Sequence, residues 1–432
     1  MSDKNTFAPT PPMGWNSWDC YGAAVNEAQL LGNAHYVAEH LKDCGWQYIV
    51  CDIQWYEPTA DSNLYHKFAD LCMDGVSRLV PAPNRFPRGF RAVADEIHAL
   101  GLKFGIHILR GIPRQAVHRN TPILGSDQTA RDIAHPFSLC SWNTDMYGVD
   151  AAQPGAQSYY DSLFALYASW GVDFVKVDDI AVTEFRPDAP YSAKAEIELI
   201  RRAIDRCGRE IVLSLSPGPA RICDAAHLAQ NANMWRLTGD FWDHWDKLKA
   251  MFERCAQWNA YRAKGCWPDC DMLPLGKISK TCAYLGEKDR YTNFTPEEQK
   301  TMLNLWCVFR SPLFLGGELR ENRPEDLRLL QNKELVALNQ HSSENRQLFR
   351  TEDQAAWCCR DEHGAPVLAL FNLADEAQTV SVSLSECGKE AAFTPVDLWT
   401  KRRLAPVKGT FSAALAPHAS GVFRMEDAGG QN

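Results

Sequence analysis

No long cluster of lysine and arginine occurs in this 432-residue chain, and its formal net charge is −9. That argues against nucleic acid or an anionic membrane surface as a partner. No stretch approaches the roughly 18 uninterrupted apolar residues of a membrane span. Neither a C-x-x-C pair nor a zinc-type His spacing appears, and of the 15 cysteines only Cys266/Cys270 and Cys358/Cys359 lie close together. An odd, scattered set fits free thiols in a reducing compartment better than disulfides or a metal site, and no metal is expected. The opening MSDKNTFAPTPP lacks a basic segment followed by an apolar one, so a cytoplasmic location is the expectation. There is no G-x-G-x-x-G after the first strand candidate and no Gly-rich loop after the last two, which weakens a doubly wound sheet and a phosphate-binding barrel alike. Internal repeats and low-complexity segments are also missing.

What remains is an ordinary globular composition, 45% hydrophobic and 23% charged. The runs 47-QYIVCDIQW-55, 102-LKFGIHIL-109, 172-VDFVKVDD-179 and 211-IVLSLSP-217 read as strands, the first three apolar enough for parallel strands covered on both faces. Weaker strand candidates are 11–15, 234–240, 265–273 and 312–316. Amphipathic stretches at 28–45, 91–101, 158–171 and 193–208 lie between them, three of them ending in glycine shortly before a strand. Eight strands alternating with helices predict an α/β fold, a (β/α)8 barrel over 1–335. Beyond it, short strands at 355–361, 366–373, 378–384, 394–400 and 420–426 predict an antiparallel β-sandwich over 336–432.

In such a barrel the chemistry sits at the carboxyl ends of the strands. Asp52, Gln54 and Trp55 close the second strand, His107 the third, Lys176 and Asp178 the fourth, Arg236 and Asp240 the sixth, and Asp269 and Asp271 the seventh. Lys176 and Asp178 are two residues apart and share a face, so the ammonium favours an ionised carboxylate, as a nucleophile requires. Asp179 points the other way and reads as structural. Asp240 lies in the aromatic segment 240-DFWDHWD-246, where desolvation would raise its pKa and suit it to general-acid work; a helix N-cap is the competing role. Twelve of the 14 tryptophans precede residue 335, and indole faces beside paired carboxylates suggest sugar chemistry. Trp18 and Trp55, near strand ends, are the candidate sugar-stacking rings.

At these residues the chain resembles glycoside hydrolase family 27, the α-galactosidase and α-N-acetylgalactosaminidase family. The resemblance rests on 11-PPMGWNSWDCYG-22, 103-KFGIHI-108, 170-WGVDFVKVD-178, 235-WRLTGD-240, 267-WPDCDML-273, 309-FRSPLFLGGELR-320 and 397-DLWT-400, in order. It implies Asp178 as nucleophile and Asp240 as general acid/base of a retaining exo-glycosidase with no cofactor. Trp18, Asp52, Lys176, Arg236 and Asp271 become sugar contacts. The substrate implied is the terminal α-D-galactosyl unit of an oligosaccharide or glycoconjugate, and a homo-oligomer is left open. Three departures stand out: Ile53 where the family has a second aspartate, with Gln54 as a substitute contact; His107 where it has tyrosine; and Ile180 where it has a disulfide cysteine, leaving Cys140 a free thiol near the site. The resemblance implies that the segment 214-SLSPGPA-220 lines the 2-position, with Ser214 and Gly218 as sugar contacts; the small Ser216, Gly218 and Ala220 leave room for an N-acetyl group, while Leu215 matches neither pattern. α-N-Acetylgalactosaminides and β-L-arabinopyranosides, which lack the hydroxymethyl group, therefore stay open. So does a non-catalytic sugar-binding barrel. The long loops at 56–90 and 110–150 are expected to wall the pocket.

Overall fold

The computed structural model describes residues 3–62, 64–180, 193–281, 288–388 and 392–428. Eight strands share one sheet: β1 (Met13–Asn16), β2 (Tyr48–Cys51), β3 (Lys103–Leu109), β4 (Phe174–Asp178), β5 (Val212–Ser216), β6 (Met234–Arg236), β7 (Trp267–Asp269) and β8 (Leu313–Leu315). From β1 to β7 each strand pairs in parallel with the next. β8 lies beside β1, and Leu273, just past β7, bridges Leu315 in parallel. The Leu273 amide donates to Phe314 O at 2.7 Å and the Gly316 amide to Leu273 O at 3.1 Å, which closes the ring.

The helices α1 (Glu27–His40), α2 (Gly89–Ala99), α3 (Pro154–Trp170), α4 (Lys194–Arg206), α5 (Ala225–Asn231), α6 (Trp245–Trp258), α7 (Pro296–Phe309) and α8 (Pro324–Leu330) follow the strands in turn. The fold is the expected (β/α)8 barrel. Local chemistry sets the boundaries. Asn26 and Gln29 form a reciprocal capping box at the start of α1, and Pro154 opens α3, which ends on Gly171 at φ 85°. Gly105 is required inside β3, because a Cβ there would sit 2.9 Å from Val50 Cγ2 and 3.0 Å from Phe174 Cβ. The segment 110–150 carries a small antiparallel sheet of Ile112–Pro113, Met146–Val149 and Ala134–Leu139.

Met1–Asp240, Ala263–Tyr291 and Phe314–Asn322 make one compact unit; Phe241–Arg262, Thr292–Leu313 and Arg323–Asn432 make the second. The second contains the strands β9 (Ser343–Arg350), β10 (Gln354–Arg360), β11 (Pro366–Asn372), β12 (Gln378–Ser383), β13 (Phe393–Asp397), β14 (Thr410–Leu415) and β15 (Ser420–Asp427). They form a five-stranded sheet, order β9-β10-β11-β15-β13, and the pair β12-β14. Leu368, Leu370 and Phe423 from the larger sheet share a core with Val380, Val382 and Phe411 from the smaller, which makes this an antiparallel sandwich. Two of these strands were not expected. β9, SENRQLFR, is a mostly polar edge strand whose register slips twice, and β14 was absorbed into its turn-rich surroundings.

Candidate active site

Strand register brings the predicted residues together. His107 and Ser214 flank Lys176 on the neighbouring strands, and Ser216 sits level with Asp178. Lys176 Nζ donates to Asp52 Oδ2 at 3.0 Å, and Asn16 Nδ2 donates to the same oxygen at 2.7 Å. The other oxygen accepts from the Ile53 amide at 2.9 Å. Burial opposes the charge on Asp52, but Lys176, His107 and Asn16 outweigh it and hold the carboxyl at about 2. Burial likewise opposes the charge on Lys176, and Asp52 and Asp178 reverse that, keeping the ammonium charged above its usual range.

Asp178 ends β4 with its side chain 25% exposed, enough to meet a ligand. Its Oδ2 lies 3.3 Å from His107 Nε2, and Oδ1 accepts from the Asp179 amide at 2.9 Å. Burial pushes this carboxyl up, but the hydrogen bond from His107, its charge when protonated, and the charges of Lys176 and Arg236 bring it below the ordinary range. His107 is fully buried and its Nδ1 has no partner among the described residues, so the ring proton belongs on Nε2, facing Asp178. Asp179 is held in an ion pair with Arg110 at 3.2 Å and is structural, as alternation along the strand implied.

Arg236 organises the other half. Its Nη2 reaches Asp240 Oδ1 at 2.9 Å and Asp271 Oδ2 at 3.3 Å, and its Nη1 donates to Ser216 Oγ at 3.2 Å. Burial opposes the guanidinium charge, and Asp271, Asp240 and Asp178 more than restore it. One buried cation thus bonds Asp240 and Asp271, and its charge also favours the ionised form of Asp178. The expected aromatic walls around Asp240 are a correction: its side chain is 52% exposed and ion-paired, while Phe241 packs on Phe294 and Trp306 instead. Asp271 adopts φ 80°, with its amide donating to Asp269 Oδ1 at 2.9 Å. Asp269 is pushed up to about 7, first by burial and then by the charge of Asp271.

Two predicted sugar contacts are not on the pocket. Trp55 is fully buried, its indole N–H donating to His107 O at 2.7 Å and its ring packed against Phe90 and Trp170, so neither face is open to a sugar. Gln54 is also fully buried, and its Nε2 donates to Asp145 Oδ2 at 2.6 Å beside Tyr56 Oη at 2.9 Å; it anchors the segment 110–150. Ser214 pairs with Lys176, two residues before Asp178, so Ser216 is the polar group level with Asp178. Gly218, at φ 76°, turns the chain after β5, and the Ala220 amide ties that turn to Arg236 O at 3.2 Å. Trp18 stands half-buried after β1, its amide donating to Asn16 Oδ1 at 2.9 Å. Asn16 was not among the expected site residues, and Asp269, named at the end of the seventh strand, was given no role there. Asp269 falls on the same strand end as Asp271 and was legible; Asn16 carried no signal beyond its position two residues before Trp18. Cys140 is a free thiol whose pKa is raised by burial and then by Asp179 and Asp178, which places it by the site as expected.

The chain matches the family model for alpha galactosidase A over residues 10–152 and 145–341, and that for the alpha galactosidase C-terminal β-sandwich domain over 351–425. A solved structure of a family 27 β-L-arabinopyranosidase from Geobacillus stearothermophilus is 53% identical, with a TM-score of 0.96 and 99% of each chain covered. A Bacillus halodurans chain provisionally described as an α-N-acetylgalactosaminidase is 51% identical, with a TM-score of 0.87, covering 96% of this chain and 97% of that one. Alpha-galactosidase 3 of Arabidopsis thaliana is 28% identical over 425 residues, 96% of this chain and 81% of the relative.

Proposed function

This chain belongs to glycoside hydrolase family 27, and we propose that it is a retaining exo-glycosidase that removes terminal β-L-arabinopyranosyl units, with α-D-galactosyl units as slower substrates. The two sugars share ring hydroxyl configuration and differ by the hydroxymethyl group. Ile53 carries the choice: it follows Asp52 directly, is buried, and presents a hydrocarbon side chain where the family pattern has a second carboxylate. A galactosyl O6 placed there loses a partner, a penalty of about 1–3 kcal/mol for a buried unsatisfied hydroxyl. The arabinopyranosidase at 53% identity supports the same preference. The small segment after β5 and the Bacillus halodurans relative favour α-N-acetylgalactosaminides as the second reading.

In this mechanism Asp178 attacks the anomeric carbon while Asp240 delivers a proton to the departing oxygen. The resulting glycosyl ester is then hydrolysed by a water that Asp240 deprotonates, which calls for carboxyls about 5–5.5 Å apart. Asp178 is suited to the first role because His107, Lys176 and Arg236 keep it ionised. Asp240, half exposed, is open to the water that it deprotonates in the second step, which returns the proton it gave to the leaving group. Lys176, Asp271 and Trp18 face the sugar. We place the catalytic barrel at 1–335 and the sandwich at 336–432, and the cytoplasm as the location, supported by the 14 cysteines that are free thiols among the described residues. Nitrophenyl β-L-arabinopyranoside, α-D-galactopyranoside and α-N-acetylgalactosaminide test the reading: kcat/KM is highest for the first, and Ile53→Asp shifts it toward the second. Cleavage of none of the three by folded protein would sink the glycosidase reading.

A further inference from the structure

Among the described residues, six exposed large hydrophobic side chains, Leu64, Phe68, Leu124, Phe137, Leu139 and Trp142, lie on the two segments that follow β2 and β3. Large exposed apolar side chains on segments beside a site call for an explanation. One chain of ring contacts runs inward from Trp142. Tyr65 stacks on Trp18 with ring centroids 6.1 Å apart and planes 12° from parallel, and Trp142 lies 5.3 Å beyond Tyr65 at 48°. Trp18 is the inner end, two hydrogen bonds from Asp52 through Asn16. Trp142 is the outer end, 40% exposed. A row of rings therefore leads out of the catalytic pocket.

The row is fixed in place. Arg110 bonds the Asp179 carboxylate at 3.2 Å and donates to Ser138 Oγ at 2.8 Å, tying the strand end that bears the nucleophile to the segment that bears Trp142. The Phe68 amide donates to Thr144 Oγ1 at 2.8 Å, joining the Tyr65 segment to the Trp142 segment. Rings held this way are pre-organised for a ligand.

We propose that Trp142 and Tyr65, continuing from Trp18, form the subsite for the leaving-group sugar, stacking on the apolar face of the pyranose released by cleavage. The assignment rests on the glycosidase reading and adds to it the other side of the scissile bond. Its occupant follows from continuity: an exo-acting pocket holds the terminal unit at Asp178, so the ring attached to that unit must leave past Trp18. A substrate without such a ring cannot use the row.

The test compares two substrates in wild type, Trp142→Ala, Tyr65→Ala and Trp142→Phe. One is a disaccharide bearing the terminal unit on a pyranose. The other is the matching glycosyl fluoride, whose leaving group is a single atom. The account expects each alanine variant to lose roughly tenfold more kcat/KM on the disaccharide than on the fluoride, since only the former loses the stacking contact. Trp142→Phe recovers much of the difference. Equal losses on both substrates, or none on the disaccharide, would overturn the subsite. So would loss of self-association in the alanine variants, which would make these rings an interface between copies. Wild type inactive on both substrates would strike the glycosidase reading itself.

Discussion

His107 Nε2 stands 3.3 Å from Asp178 Oδ2, and the imidazole that makes this contact has no exposed surface. The sequence placed His107 as a sugar contact. Its burial instead makes it a donor to the nucleophile, acting on the substrate through Asp178.

Removing that donor has a predictable sign. In His107→Phe the Asp178 carboxyl loses the hydrogen bond that most strongly lowers its pKa, so the acidic limb of kcat/KM moves to higher pH. Loss of one hydrogen bond to a charged group predicts a drop in kcat of about 10- to 100-fold. His107→Tyr, which restores a donor, recovers part of both effects. An unmoved acidic limb in His107→Phe would leave the histidine a packing role only.

The two carboxylates fail differently. Asp178→Asn removes the nucleophile and lowers kcat at least ~10³-fold for every leaving group. Asp240→Asn removes proton delivery, so the loss in kcat/KM is large for alkyl leaving groups and small for a dinitrophenyl group that departs unaided, while kcat stays low on both because the second step lacks its base. A uniform loss in kcat/KM across leaving groups in Asp240→Asn would move the acid role to another residue.

Asp269 should show in stability. Its folded pKa lies near 7, far above that of a free aspartate, so the folded state holds a proton that the unfolded chain has released between about pH 4 and 7. Stability therefore falls as pH rises through that window and levels off above it. Asp269→Asn keeps the acceptor for the Asp271 amide and removes this titration. Its Tm relative to wild type should rise from pH 4.5 to 7.5; a constant difference would show that Asp269 stays ionised.

Arg85 is the test of how the second strand's loop is held. Its guanidinium donates to the carbonyls of Gln54 and Glu57 at 2.7 and 2.8 Å, and of Ala23 and Val25 at 2.6 Å each. Arg85→Met takes one donor from each of four carbonyls; Gln54 O, Glu57 O and Ala23 O keep backbone N–H donors at 3.0, 3.4 and 3.4 Å, whereas Val25 O loses its donor, so the expected destabilisation is about 1–3 kcal/mol. Thermal unfolding reads this directly, and a Tm change under two degrees would show that water replaces the guanidinium.

The barrel was legible because its central strands are long apolar runs, and the chemistry was legible because charges sit at their ends. The short strands β1, β6, β7 and β8 are three or four residues each, too brief for periodicity alone, and were placed by spacing and motif. Lys176 and Asp178 followed from alternation. Trp55 and Gln54 did not, because position near a strand end says nothing about whether a side chain faces the pocket or the layer behind it. Asp240 was misjudged for a related reason: the ring next to it in sequence, Phe241, packs on Phe294 and Trp306, and the Asp240 side chain is half exposed. The Trp18–Tyr65–Trp142 row joins three separate loops, and no local pattern announces it.

The central claim, double displacement at Asp178, is tested most directly by the anomeric form of the first product. Proton NMR of nitrophenyl β-L-arabinopyranoside during the first turnovers, before mutarotation, should show β-L-arabinopyranose accumulating first. Initial release of the α anomer would mean inversion, and would contradict a covalent intermediate on Asp178.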